Sequence, residues 1–174
     1  MKTEIGEYII GAYLKIVIGC DYVDYNVRPS EKGLEGLGEL DVIGIKLEKG
    51  HEEIYLCEVT THLDGLVYGS SYSATVDKIA AKFDRQRKYK NKYIPDHFKA
   101  HYMFWSPVVL PEMERKLLSE AGSRLKDLEL VINKDYFNKI EELKKLSKDT
   151  TKDFGNPFFR TLQILGHVEK RNKK

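Results

Sequence analysis

The chain has 174 residues, of which 41% are hydrophobic and 32% charged, a composition that sustains a folded core and excludes collagen-like, mucin-like and disordered chains. One domain of this length buries roughly 70% of the surface its unfolded chain exposes. Twenty-nine lysines and arginines against 27 acidic residues leave a net charge of +2, too small to make the whole molecule a polyanion binder, so any basic surface must be local.

From Thr3 to Ile18 the apolar residues Ile5, Ile9, Ala12, Tyr13 and Ile16 recur at three- and four-residue steps, which predicts an amphipathic helix starting at Thr3. Cys20 to Arg28 alternates and is rich in Tyr and Val, a strand that Pro29 ends. Ser30 to Gly38 carries three glycines and reads as a loop. Glu39 to Leu47 and Glu53 to Thr61 read as two strands around Glu48-Lys49-Gly50-His51, a turn of the kind that joins antiparallel neighbours. His62 to Ser73 is loop-like, and Ala74 to Lys92 has the period of a long helix that Pro95 closes. A β-α-β-α half follows, with a strand at Lys99 to Ser106, a helix at Pro111 to Ala121, a strand at Leu128 to Asn133 and a helix at Lys134 to Leu146. Asn156-Pro157 is an N-cap with proline at the first helical position, opening a last helix whose stripe is Phe158, Phe159, Leu162, Leu165 and Val168. That stripe is core packing or a homodimer contact. The expectation is one α/β domain over residues 1–174, with a mixed central sheet flanked by helices in the order α-β-β-β-α-β-α-β-α-α.

Cys20 and Cys57 are too few for a disulfide framework and sit among apolar neighbours, which fits a reducing, cytoplasmic setting. Glu4 and Glu7 stand where a secretory signal would be apolar, and no uncharged stretch approaches about 18 residues, so no membrane partner is expected.

The informative residues are acids that interrupt apolar strands, because a carboxylate taken out of water is costly unless it is paired, hydrogen-bonded or bound to a cation. Asp41 lies between Leu40 and Val42, and Glu58 between Cys57 and Val59. If the hairpin turns symmetrically about Lys49-Gly50, paired residue numbers sum to 99, which sets Asp41 directly opposite Glu58. Opposed Cβ atoms are about 5 Å apart, and like charges so placed repel unless something positive lies between them. Strand parity puts Glu39, Asp41, Ile43 and Ile45 on one face beside Ile54, Leu56, Glu58 and Thr60. Hard oxygen ligands of this kind suit Mg²⁺ or Mn²⁺, with substrate phosphates and water completing the shell. The alternative is that both acids point outward on a solvated face.

The run Gly38-Glu39-Leu40-Asp41-Val42-Ile43, with Glu58-Val59-Thr60 starting 17 residues after the aspartate, resembles the core of the PD-(D/E)XK, or restriction-endonuclease-like, nuclease superfamily. Gly6-Glu7 on the first helix matches the further glutamate found in archaeal Holliday-junction resolvases, and the resemblance covers about the first 92 residues. It implies a restriction-endonuclease-like core in which Asp41, Glu58 and the Val59 carbonyl hold Mg²⁺ or Mn²⁺, with Glu7 completing the site. The implied activity is metal-dependent hydrolysis of DNA phosphodiester bonds, in restriction, repair, recombination or defence. Thr60 departs from the pattern, since it stands where the family has lysine and carries no charge. Lys46 is a poor substitute because parity places it on the face opposite Asp41. Lys82 or Lys78 on the following helix is the expected replacement.

On that helix Lys78, Lys82, Arg85, Gln86 and Tyr89 fall within about 100° of one another. From Asp77 to Lys92 there are seven cations against two acids, a strip suited to phosphate contacts without sequence reading. Arg85, Gln86, Arg87, Lys88 and Tyr89 are the expected nucleic-acid contacts, with Tyr68, Tyr72 and Tyr93 as further stacking candidates for unpaired bases. A solvated cationic face and tyrosines packed on the sheet are the alternatives. His97 and His101 have helical spacing but no accompanying glutamate, so no zinc motif is read. A catalytically inactive module on the same fold, binding nucleic acid or a protein partner, is the competing function, and a purely structural α/β domain is a third.

Overall fold

The computed structural model describes residues 3–28 and 38–172, so Pro29, the expected strand end, and the expected loop from Ser30 to Leu37 lie outside the described residues. The elements are α1 (Ile5–Ala12), continued by a π-helical turn (Tyr13–Ile18), then β1 (Tyr22–Val27), β2 (Leu40–Glu48), β3 (His51–Val59), α2 (Tyr72–Tyr93), β4 (Lys99–Ser106), α3 (Pro111–Glu120), β5 (Leu128–Ile132), α4 (Asn133–Asp149) and α5 (Pro157–Arg171). The order is the one expected. The described residues form one five-stranded mixed sheet in the spatial order β1-β2-β3-β4-β5, with β1, β2 and β3 antiparallel and β3, β4 and β5 parallel.

The first helix differs from its expectation at both ends. Its N-cap is Glu4 rather than Thr3, and the Glu4 N–H donates to Glu7 Oε2 at 2.8 Å. Its last six residues widen into π geometry and leave through Gly19 at φ 80°, where the Cys20 N–H reaches back to the Leu14 carbonyl. Ile16, Val17 and Ile18 in that stretch are all β-branched, which disfavours a tight α-helical turn.

The β2–β3 turn is the two-residue Lys49-Gly50, with Gly50 at φ 81°, a conformation open to glycine. Paired residues run from Glu48 opposite His51 to Val42 opposite Cys57, the symmetric register expected. The crossovers β3–α2–β4 and β4–α3–β5 each add a strand on the same side, and right-handed connections then place both helices on one face. That face buries Val76, Ile79, Ala80 and Phe83 of α2 and Met113 and Leu117 of α3 against Phe104, Leu128 and Ile132. Beside them Leu40, Ile43, Ile54 and Leu56 pack with Val27, Ile45 and Tyr89. The other face packs α1, its π turn, α4 and α5 on Val42, Tyr55, Cys57, Met103, Trp105 and Val131.

Asn156 caps α5 as expected, accepting the Phe159 N–H at 3.0 Å, and its Nδ2 donates to the Tyr8 carbonyl at 2.9 Å. Of the α5 stripe, Phe158, Phe159 and Leu162 join the core, whereas Leu165 and Val168 are exposed. Cys20 and Cys57 are buried free thiols, and burial pushes the Cys20 thiol up to about 12. Among the described residues no helix is long and apolar enough to cross a membrane.

Candidate functional site

The hairpin register carries Asp41, at the start of β2, to the position opposite Glu58, at the end of β3. The ladder reaches Val42 and Cys57, and one step beyond it the Val59 N–H donates to Asp41 Oδ2 at 2.8 Å. The Asp41 side chain is 18% exposed and that of Glu58 only 1%. The alternative of two solvated outward acids is therefore excluded.

The repulsion expected between two such acids is answered from α2. Lys82 Nζ lies 2.6 Å from Glu58 Oε2 and 3.8 Å from Asp41 Oδ2. Arg85, one turn further along, places Nη2 2.6 Å from Glu58 Oε1. Both are delivered by the periodicity that buries Ile79 and Phe83, because residues three and four apart share a helix face. A cation does stand between the carboxylates, and it is the chain's own ammonium. Burial and the neighbouring Asp41 charge raise the Glu58 carboxyl to about 7, against the pull of Lys82 and Arg85. Burial pulls Lys82 down, but Glu58 and Asp41 outweigh it and hold the ammonium above its usual range.

Glu7 comes from α1 and is buried. Its Oε2 accepts from Asn26 Nδ2 at 2.9 Å as well as from the Glu4 N–H, and Asn26 adopts a left-handed backbone at φ 53°. Burial raises the Glu7 carboxyl, with Asp41 contributing in the same direction. Glu39, just before β2, pairs with Arg28 at 3.0 Å. Thr60 is buried, and its hydroxyl, one oxygen of Glu39 and Arg85 Nε have no hydrogen-bond partner among the described residues. Thr60 lies two residues along from Glu58, and Arg85 is one of the cations that pair with it.

Asp41 and Glu58 are hard oxygen donors, and one or two such groups suffice for Mg²⁺ or Mn²⁺. With the Val59 carbonyl and the orphaned Thr60 hydroxyl nearby, the donor chemistry fits such an ion. Among the described residues no group of three or more His, Cys, Asp or Glu side chains is arranged to hold a metal. Glu7 is thus not drawn into a ready ligand cluster with the pair, and both Glu58 oxygens are engaged by cations.

Of the two lysines expected to replace the missing one, Lys82 is in the site, whereas Lys78 is exposed with Nζ 5.8 Å from the Tyr68 ring centre. The expected nucleic-acid strip divides. Gln86 is wholly buried, and its Nε2 donates to the Leu56 and Met103 carbonyls at 2.9 and 3.3 Å. Gln86 therefore joins the apolar row of α2 instead of facing a ligand, and Arg85 belongs to the carboxylate site. Arg87 lies 4.6 Å from the Phe83 ring and pairs with Asp127, while Lys88 is exposed. Tyr89 packs on the sheet beside Tyr93, and Tyr68 and Tyr72 pack on the core, the sheet-packed alternative. His101 stacks on Tyr55 at 4.5 Å and approaches Glu53 at 3.4 Å.

Sequence reasoning missed the role of Arg85 and the grip of Asn26 on Glu7. The i, i+3 spacing from Lys82 was a signal for Arg85, but nothing local marked Asn26. No protein-family model, curated protein or solved structure matches the chain.

Proposed function

We propose that this chain is a Mg²⁺- or Mn²⁺-dependent nuclease of the PD-(D/E)XK type, hydrolysing DNA phosphodiester bonds on a restriction-endonuclease-like core. The observation that carries the reading is the ammonium of Lys82 set between Asp41 and Glu58, on a helix, where the sequence has Thr60 in place of the strand lysine. Two strand carboxylates and two helix cations converge there, and Glu58 is 1% exposed with its carboxyl raised by burial and by Asp41, a perturbed charge cluster suited to chemistry on a charged substrate.

Asp41 and Glu58, with the Val59 carbonyl, would hold the ion, and Glu7, whose hydrogen bonds to Glu4 and Asn26 fall on Oε2, would complete the site. When bound, such an ion supplies a water of lowered pKa and neutralises charge on the scissile phosphate. Lys82 orients the attacking water by hydrogen bonding and offsets the negative charge that grows on the phosphoryl oxygens. The Val59 N–H, donating to Asp41 Oδ2 at 2.8 Å, ties the carboxylate to the end of β3. Lys78, Arg87 and Lys88 contact flanking phosphates and contribute salt-sensitive affinity.

A second reading, an inactive module that binds nucleic acid or a protein partner, is favoured by one observation, the occupation of both Glu58 oxygens by Lys82 and Arg85. Cleavage decides between them. The protein is incubated with plasmid, linear and branched DNA in Mg²⁺, Mn²⁺ or EDTA, beside Asp41→Asn and Glu58→Gln. The nuclease reading expects cleavage that EDTA and either substitution abolish. Intact DNA in both metals, at protein concentrations that bind it, would leave the inactive module.

A further inference from the structure

The four side chains at the site, Asp41, Glu58, Lys82 and Arg85, carry two negative and two positive charges. A divalent ion taken up by the carboxylates would leave the group with two net positive charges. Glu58 is 1% exposed and Asp41, Lys82 and Arg85 are 18%, 27% and 24% exposed, so water screens that excess only in part, and uncompensated charge in such a setting is costly. Glu39 is already paired with Arg28, and Glu7, whose partner Asn26 is a neutral amide, offsets at most one of the two charges. The negative charge still missing has to arrive with the substrate.

Arg85 is the group built to exchange. Its guanidinium meets a carboxylate at one end, lies against the Gly38 backbone, where an added Cβ would stand 2.8 Å from Nη1, and keeps Nε without a partner among the described residues. A planar guanidinium hydrogen-bonds carboxylate and phosphate in the same fork geometry, so it can pass from one to the other without losing its donors' partners. Lys82, shared between both acids, has no comparable freedom.

Resting on the nuclease reading, we propose that Arg85 is an exchange cation that couples the two ligands of this site. Without nucleic acid it neutralises Glu58 and opposes divalent-ion binding. A backbone phosphate draws it off Glu58, freeing that carboxylate for the ion and supplying the negative charge the ion requires. By linkage the effect is reciprocal, so DNA raises the affinity for the ion by the factor with which the ion raises the affinity for DNA.

The test is Mn²⁺ binding, read from the electron paramagnetic resonance of free Mn²⁺, with and without a short duplex whose phosphorothioate linkages resist cleavage. For the unaltered protein the duplex is expected to tighten Mn²⁺ binding roughly tenfold or more, within the usual range of coupling energies. Arg85→Gln is expected to bind Mn²⁺ more tightly than the unaltered protein when DNA is absent and to gain less from the duplex. Arg85→Lys, which keeps the charge, is expected to bind Mn²⁺ alone as weakly as the parent. Equal Mn²⁺ affinity of the unaltered protein with and without duplex overturns the proposal, and needs no variant to fold. So does an Arg85→Gln protein that gains no Mn²⁺ affinity. An Asp41→Asn arm separates the two levels: Mn²⁺ binding that depends on Asp41 but ignores DNA sinks the coupling alone. Mn²⁺ binding that is absent, or indifferent to Asp41, in both conditions sinks the nuclease reading with it.

Discussion

Replacing Lys82 by methionine keeps most of the side-chain volume and removes a charge shared by Asp41 and Glu58. At an effective dielectric constant of about 20, contacts of 2.6 and 3.8 Å correspond to gross attractions of roughly 6 and 4 kcal/mol. Desolvation offsets most of that, and breaking a buried pair from one side typically costs about 3–5 kcal/mol. Glu58 has an escape, since it can take a proton. Its folded carboxyl sits at about 7, above the ordinary 4.5, so the folded state binds the extra proton and gains stability as pH falls through that interval. Removing Lys82 raises the carboxyl further and extends the window upward. The expected loss is therefore about 3 kcal/mol near pH 8.5, where Glu58 must either stay charged with Arg85 alone or protonate at a cost, shrinking to about 1 kcal/mol or less near pH 5.5, where it is already neutral. Trp105, the single tryptophan and fully buried, reports urea unfolding at both pH values. A loss that is the same at the two, or none at either, would refute the shared-cation account and leave only lost packing.

Asp41→Asn removes the charge that, after burial, does most to raise Glu58, so carboxyl ¹³C NMR should place Glu58 below about 7 in the metal-free variant, and an unchanged midpoint would mean the two acids do not sense each other. Gln86→Leu removes donors to two strand carbonyls and should destabilise the fold by about 1–3 kcal/mol in urea titration. The same variant should leave the salt dependence of DNA affinity unchanged, whereas Lys88→Ala should lower the salt slope by about one unit. Asn156→Ala deletes the α5 cap and the bond to the Tyr8 carbonyl and should cost about 1–2 kcal/mol by thermal or urea unfolding.

The hairpin at the centre of the site is legible in the sequence because its geometry is local. Strand parity is two, the turn at Lys49-Gly50 is short, and Gly50 tolerates the positive φ it needs, so the register and the meeting of Asp41 with Glu58 follow from residue numbers. The element order and the caps at Asn156 and the apolar row of α2 are equally local. What answers the two acids is not. Lys78 and Lys82 lie one helical turn apart on one face, and the sequence treats them alike. Only the packing of Ile79 and Phe83 against the sheet sets how far along α2 the carboxylates fall, which brings Lys82 and Arg85 to Glu58 and leaves Lys78 over Tyr68. The same packing turns Gln86 inward to the Leu56 and Met103 carbonyls, and the docking of β1 beside α1 brings Asn26 onto Glu7. Periodicity determines which face of an element a residue occupies. The tilt and axial offset of that element against its neighbours depend on side chains from the whole core, and those offsets decide which charges meet.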